Sequence, residues 1–317
     1  MTDMLDRTVL DTAARIRAGV DSVVAGKPES TLMALTVLLA GGHLLIEDVP
    51  GVGKTMLAKS LARTLGVTVR RMQFTPDLLP SDVTGVSVFN QESREFEFRP
   101  GAIFANVVLA DEINRASPKT QSALLEAMEE HQVTVDGTSH PLASPFLVIA
   151  TQNPIDMEGT YALPEAQRDR FMARISIGYP SPADELRMLT DHAGADPLAT
   201  LAPAATHDEL AALMAAVGEV HVSDAVRRLA VALTTATRTS DELRLGASPR
   251  GTLHLVRASR AWAALDGRTF VLPDDILLAT IPSRVRQIVL RATRRDPSDR
   301  YEDAAHMAKE LAEVLLG

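Results

Sequence analysis

The chain has 317 residues, of which 46% are hydrophobic, and its formal net charge is −9. Such a composition excludes a disordered chain and provides enough apolar residues for two domains with sizeable cores. The chain contains no cysteine, which excludes disulfides, zinc–thiolate sites and thiol catalysis.

The first predicted elements are two helices, over residues 4–18 and 31–40, and the second is ended by a pair of glycines. The N-terminus is acidic where a signal peptide would be cationic. The longest apolar stretch, residues 32–40, is too short to cross a bilayer. We therefore expect a cytoplasmic protein without a membrane span.

A phosphate-binding loop is predicted between an apolar strand at residues 43–47 and a helix at residues 56–65. Glycines let backbone N–H groups face an anion, the helix start adds positive potential, Lys54 can reach phosphates and Thr55 can bind Mg²⁺. Asp48 stands where the usual pattern has glycine, and the alternative reading is an ordinary strand-to-helix turn. The candidate nucleotide-binding residues are Pro50, Gly51, Val52, Gly53, Lys54, Thr55 and Met56.

Two adjacent carboxylates, Asp111 and Glu112, end a second apolar run at residues 105–112. Buried parallel strands have continuous apolar runs, and their carboxyl ends are where open α/β sheets bind ligands. Asp111 is the candidate residue for holding Mg²⁺, together with Thr55, and Glu112 is the candidate for polarising the attacking water. The alternative is a strand followed by a solvated acidic turn.

The remaining elements predict a doubly wound parallel sheet followed by a helical domain. Between and after the two site strands, we predict further strands at 68–74, 146–150 and 174–177, hairpins at 86–98 and 132–142, and a helix at 119–130. An Ala- and Pro-rich linker precedes helices at 210–217, 223–237, 249–265, 273–280 and 302–316. The predicted domains are residues 1–193 (α/β), 194–206 (linker) and 207–317 (all-α).

One pattern joins residues 41–43, 47–55, 110–116, 119–130, 150–154, 163–167, 169–171 and 246–250. In this pattern the chain resembles the MoxR family of AAA+ ATPases. The resemblance implies an α/β P-loop NTPase fold with a five-stranded parallel sheet and a C-terminal all-α lid domain. It also indicates that Asp48 is a common family variant of the loop.

The resemblance further implies roles for three residues. Asn153 is expected to sense the γ-phosphate and help place water, although an Asn-Pro turn would explain it structurally. Arg170 is expected to be the arginine finger that acts on a neighbouring subunit's nucleotide, with Arg168 and Arg174 as competitors. Arg250, at the start of a lid helix, is expected to reach the γ-phosphate as a second sensor. We expect the connection that carries Arg170 to approach the ligand edge of the sheet, yet to lie away from its own phosphate loop.

The function implied is Mg²⁺-dependent ATP hydrolysis by a ring, expected to be a hexamer, that remodels, matures or activates protein complexes. A partner with a von Willebrand factor A domain and a client complex are expected. The hairpins resemble inserts shared with magnesium-chelatase subunits and some helicases, or they extend the sheet edge. The alternatives are a nucleic-acid motor or loader, which the acidic balance disfavours, a metal-chelatase-type ATPase subunit, and a nucleotide-dependent switch that hardly hydrolyses.

Overall fold

The structure is a computed structural model that describes residues 6–24, 26–49, 51–153, 160–191, 197–239 and 245–280. The strands are β1 Leu44–Glu47, β2 Val69–Gln73, β3 Gly85–Asn90, β4 Glu95–Pro100, β5 Val107–Asp111, β6 Gln132–Val135, β7 Thr138–Pro141, β8 Leu147–Gln152 and β9 Ala173–Ile175. The helices are α1 Arg7–Asp21, α2 Pro28–Leu39, α3 Lys54–Thr64, α4 Pro80–Thr84, α5 Pro118–Glu130, α6 Glu165–Arg168, α7 Pro182–Asp191, α8 Pro197–Thr200, α9 His207–Glu219, α10 Asp224–Thr239, α11 Pro249–Leu265 and α12 Pro273–Thr280.

A five-stranded parallel sheet forms the centre of the α/β part, in the order β2-β5-β8-β1-β9. Side chains alternate between its two faces, as the period of a strand requires. Leu44 and Ile46 therefore belong to the apolar cluster on one face, and Leu45 belongs to the cluster on the other. The predicted α/β fold with a five-stranded parallel sheet is confirmed.

The two predicted hairpins are sheets of their own. β3 pairs antiparallel with β4, and β6 pairs antiparallel with β7, apart from the central sheet. Phe98 of the first hairpin stacks on His140 of the second, with ring centroids 3.8 Å apart. The hairpins therefore contact each other and do not extend the edge of the central sheet.

The C-terminal helices pack on the N-terminal ones. Residues of α1, α2, α9 and α11 share one apolar cluster with the sheet, and Arg15 of α1 pairs with Glu209 of α9 at 2.7 Å. The segment predicted as a linker contains α8 and lies along α3, where Arg63 donates to the carbonyl of Leu201 at 2.7 Å. The helix predicted at residues 302–316 lies outside the described residues, and the domain boundaries stay predictions.

Most predicted helices begin or end within a few residues of the observed ones. α1 begins at Arg7 because Asp6 caps its first turn by accepting from the Thr8 N–H, and the helix runs on to Asp21, beyond the predicted end at residue 18. The short helix α4 begins at Pro80, which stands in its first turn. In α5, Ser117 caps the start, and Pro118 stands in the first turn where its missing N–H costs nothing.

Candidate nucleotide-binding site

The phosphate loop, residues 48–55, connects the carboxyl end of β1 to the first turn of α3. Gly51 and Gly53 have φ values of 87° and 95°, a left-handed conformation that favours glycine. A Cβ added to either residue would meet no atom within 4 Å. The glycines are thus required by backbone conformation, and open space lies in front of them. Of the predicted loop residues, Pro50 lies outside the described residues.

Lys54, the first residue of α3, is buried, and its Nζ donates to the backbone carbonyl of Asp48 at 2.8 Å. Burial lowers the pKa of the Lys54 ammonium, whereas the nearby carboxylates of Asp111, Asp48 and Glu112 oppose that shift. The side chain is therefore folded back across the loop, close to the two predicted acidic residues. A phosphate in the loop would replace the Asp48 carbonyl as its partner.

Asp111 ends β5 and is held on both of its carboxylate oxygens. Oδ1 accepts a 2.5 Å hydrogen bond from the hydroxyl of Thr151, and Oδ2 lies 2.7 Å from Nη2 of Arg71. Thr151 is fully buried in β8, and Arg71 is a half-exposed residue of β2, so the carboxylate is fixed on its inner side and neutralised on its outer side.

Glu112 follows Asp111 with a left-handed backbone, at φ 57°. Its N–H donates to the Thr151 hydroxyl at 2.9 Å. Its Oε2 accepts from Gln73 Nε2 at 3.0 Å and lies 3.0 Å from Nη1 of Arg115. The single Thr151 side chain thus orients both acidic residues, while Gln73 and Arg115 hold the Glu112 carboxylate beside β2.

Asn153 is brought to the same edge of the sheet. It follows β8, the strand between β5 and β1, and only 7% of it is exposed. Its carbonyl accepts from Asn114 Nδ2 at 3.5 Å. The structure therefore assembles the loop, both carboxylates and Asn153 at the carboxyl edge of the sheet, where α/β folds bind ligands.

No role is assigned from the sequence to four residues that shape this edge, although two of them lie in the matching segments: Arg71, Gln73, Arg115 and Thr151. The available signal is the alternation of β2, which puts Arg71 and Gln73 on one face, with Gln73 opposite Asp111 in the register.

Arg170 lies at the opposite edge of the sheet. β9 starts beside the start of β1, with Ala173 opposite Leu44, and the Met172 N–H donates to the His43 carbonyl at 2.8 Å. Arg170 therefore lies where β1 begins, whereas the phosphate loop follows its end. The segment that carries Arg170 was expected to approach the carboxyl edge of the sheet. That expectation is wrong, because the segment precedes β9 and therefore lies at the amino end of that strand. The separation of Arg170 from the phosphate loop of its own chain is as expected.

Arg250 lies beside Arg170. The Glu129 carboxylate, near the end of α5, contacts both guanidinium groups: Oε2 lies 3.0 Å from Nε of Arg170, and Oε1 is bonded to Nη2 of Arg250. Arg250 also lies 3.5 Å from Asp169 Oδ2. The structure thus places the second-sensor candidate with the finger candidate, at the edge away from Lys54.

The competing arginines have other partners. Arg168 lies 3.7 Å from Glu165 of its own helix. Arg174 is bonded to Glu47 at 2.7 Å, at the end of β1 that leads into the phosphate loop. Both side chains also line a cavity of about 1120 Å³ together with Arg250. Arg170 differs from them in sharing the Glu129 carboxylate with Arg250, and it is the finger candidate that we carry forward.

Comparisons with known proteins agree with this architecture. A family described as "ATPase family associated with various cellular activities (AAA)" matches residues 43–173, and an AAA lid domain matches residues 235–303. A structure from Cytophaga hutchinsonii described as a candidate ATPase is 38% identical, with a TM-score of 0.78, covering 85% of this chain and 86% of that one.

Named relatives extend over most of the chain. The uncharacterized protein YeaC of Bacillus subtilis is 51% identical over 84% of each chain. Chaperone MoxR1 of Mycobacterium tuberculosis is 42% identical over 84% of this chain and 72% of its own. Within the described ranges, every helix is too short or too polar to cross a bilayer. With its five-stranded sheet, phosphate loop and helical lid, this chain belongs to the MoxR family of AAA+ ATPases.

Proposed function

We propose that this protein binds ATP and hydrolyses it between neighbouring subunits of a ring. The observation that carries the proposal is the separation of the two groups of site residues. Lys54 and the carboxylates lie at one edge of the sheet, while Arg170 and Arg250 lie at the other. One chain therefore carries both halves of a site that it cannot close alone, and the site would be completed where two neighbouring subunits meet head to tail. Head-to-tail interfaces can close into rings. We expect a hexamer.

The residues at the loop fit a magnesium-bound nucleotide. The open, left-handed glycines offer backbone N–H groups to phosphate, and Lys54 offers a buried cation. Thr55 and Asp111 would hold the Mg²⁺, which needs few protein ligands because waters and phosphate oxygens complete its shell. When bound, Mg²⁺ would neutralise charge on the β- and γ-phosphates.

The remaining residues would act on the water and on the developing charge. Glu112, held by Gln73 and Arg115, would orient the attacking water and accept its proton. Asn153, at the adjacent strand end, would contact the γ-phosphate. Arg170 of the neighbouring subunit would stabilise the transition state, a contribution of about 10³-fold or more in rate.

The biological role that we propose rests on the named relatives. One relative is named a chaperone, so we propose that hydrolysis drives the remodelling, maturation or activation of a protein complex in the cytoplasm. A partner with a von Willebrand factor A domain belongs to the same proposal. The exposed aromatic rings of Phe89 and Phe96 on the first hairpin offer an apolar surface for such a contact.

A mixing experiment tests the shared site. Lys54→Ala and Arg170→Ala rings should each hydrolyse ATP poorly. Mixed rings should regain part of the wild-type turnover, because some interfaces join an intact Lys54 to an intact Arg170. Arg168→Ala serves as the matched control and should remain active. If the subunits exchange, as measured by energy transfer between labelled chains, and the mixture stays inactive, the shared site is wrong.

A further inference from the structure

Glu129 is the residue that joins the two arginines. It lies in the last turn of α5, on neither the connection before β9 nor the lid helix α11. Arg170 comes from that connection and Arg250 from the start of α11, so the two guanidinium groups reach Glu129 from separate parts of the fold. The lid arginine is held at this edge by two acidic groups, Glu129 and Asp169.

The surroundings of this carboxylate are cationic. Arg170, Arg250 and Arg257 line a cavity of about 190 Å³ that also contains Glu129. Burial lowers the pKa of His254 on the same wall, and the charges of Arg257 and Arg250 lower it further, although Asp169 opposes them. Two guanidinium groups this close repel each other unless an anion lies between them. In the free subunit Glu129 supplies that anion.

Glu129 holds Arg170 through an ion pair and not through a hydrogen bond. Nε of Arg170 lies 3.0 Å from Glu129, yet the pair lacks the alignment of a hydrogen bond. Among the described residues this buried N–H has no hydrogen-bond acceptor. About a third of each arginine side chain is exposed, so both remain within reach of a ligand from outside the chain.

We propose that Glu129 is a positioning residue that holds Arg170 and Arg250 together as one two-arginine unit for the nucleotide phosphates of a neighbouring subunit. The inference rests on the proposed function, since the phosphates belong to the neighbour's site. It assigns Arg250 to the same neighbour as Arg170 and gives Glu129 no contact of its own with the nucleotide.

The test places Glu129→Gln separately in the two kinds of subunit of a mixed ring. The arginine subunit carries Lys54→Ala and contributes only the arginines, and the loop subunit carries Arg170→Ala and contributes only the phosphate loop. Because misplaced catalytic groups cost up to about 10²-fold, Glu129→Gln in the arginine subunit should lower the recovered turnover about tenfold. The same substitution in the loop subunit should leave it unchanged.

Two further variants separate positioning from folding. Glu129→Asp keeps the charge and should restore part of the lost turnover, and Glu130→Gln, at the adjacent exposed position, should leave turnover unchanged. In uniform Glu129→Gln rings kcat should fall while KM and ATP affinity stay within about twofold of wild type, because the loop residues are intact. Melting temperatures identify a variant that fails to fold. If Glu129→Gln fails to fold, Glu129→Asp is placed in the arginine subunit and then in the loop subunit, and only the first placement should lower turnover.

The role of Glu129 would be overturned if Glu129→Gln lowered turnover equally in both kinds of subunit, or if it did not lower turnover in the arginine subunit. Either result would leave the shared site intact. A different result is that the mixture of Lys54→Ala and Arg170→Ala subunits, without a change at Glu129, regains no turnover although the subunits exchange. That outcome rejects the shared site, and the inference about Glu129 is rejected with it.

Discussion

The Asp48 carboxylate accepts a 2.7 Å hydrogen bond from the backbone N–H of Gly178, which connects the start of the phosphate loop to the segment after β9. The same oxygen accepts from the Ile177 N–H at 2.7 Å and from the Ser176 hydroxyl at 3.0 Å. The residue that replaces the usual glycine therefore anchors the loop. This contact explains the departure from the general loop pattern at this position.

Asp48→Gly should destabilise the fold although it restores the usual loop pattern. The variant leaves the Ile177 and Gly178 N–H groups without their acceptor, at a cost of roughly 2–3 kcal/mol in unfolding free energy. Denaturant unfolding at pH 7 measures this. Asp48→Asn keeps one acceptor oxygen and should lose less. An unchanged unfolding free energy for Asp48→Gly would refute the anchoring role.

The contribution of Asp48 should depend on pH. Burial alone would raise its pKa, but the hydrogen bonds from Gly178, Val49, Ser176 and Ile177 outweigh it and hold the pKa below 3.8. Since the folded pKa is the lower one, the stabilisation is present above pH 3.8 and is lost as pH falls below it. The difference between wild type and Asp48→Gly should therefore shrink only in strong acid.

Lys54→Ala and Glu112→Gln should separate nucleotide binding from hydrolysis. Loss of the buried ammonium should weaken ATP binding about 100-fold, since a charged contact is worth up to roughly 3 kcal/mol. Glu112→Gln keeps the shape and should bind ATP normally, but its turnover should fall at least about 10²-fold because the amide cannot accept a proton. Isothermal titration and phosphate release measure the two effects. Near-normal turnover in Glu112→Gln would remove Glu112 from the proposed role.

The carboxyl edge of the sheet could be predicted because its signals are local. The phosphate loop, Asp111 and Glu112 each follow an apolar strand directly in the chain, and parallel strands bring their ends to one edge. The partners of the two carboxylates could not be predicted in this way. Arg71 reaches Asp111 only because β2 lies beside β5 in the sheet. The order of the strands cannot be inferred from the sequence of any one strand.

The opposite edge was less predictable because it depends on contacts across the chain. Glu129 and Arg250 are 121 positions apart and belong to different parts of the fold. A family motif indicated Arg170 and Arg250 as separate residues, whereas only the packing of α11 brings them to one carboxylate. The position of Arg170 at the amino end of β9, by contrast, already follows from a parallel sheet, because Arg170 precedes that strand in the chain.

Binding to DNA should be weak and non-specific. The chain has 41 acidic residues against 32 basic ones, and several half-exposed arginines are already paired with carboxylates, among them Arg71, Arg115 and Arg174. We expect a dissociation constant of about 10⁻⁴–10⁻⁶ M at physiological salt, the ordinary non-specific range. Fluorescence anisotropy over a salt titration measures it. Sub-micromolar affinity, or ATP turnover stimulated by single-stranded DNA, would favour a nucleic-acid motor instead.

His43 should make the fold sensitive to mild acid. Its Nδ1 accepts from the Val148 N–H at 3.0 Å, so Nε2 carries the hydrogen that faces the Met128 carbonyl at 3.1 Å. Burial, together with the smaller effect of the charges on His131 and His254, lowers the pKa of this histidine to about 4, although the Met128 hydrogen bond opposes the shift. The folded protein therefore keeps the ring neutral at a pH where the unfolded chain takes up a proton.

Because the pKa of His43 is lower in the folded protein than in the unfolded chain, the stabilisation is complete above pH 6.5 and is lost as pH falls toward 4. The difference between these two pKa values corresponds to about 3 kcal/mol of unfolding free energy. His43→Gln can keep both hydrogen bonds, through its amide oxygen and nitrogen, and removes the titration. Urea unfolding between pH 7 and 4.5 should show wild type losing stability faster than the variant, while the two stay similar at pH 7. Parallel profiles over this range would contradict a neutral, buried His43.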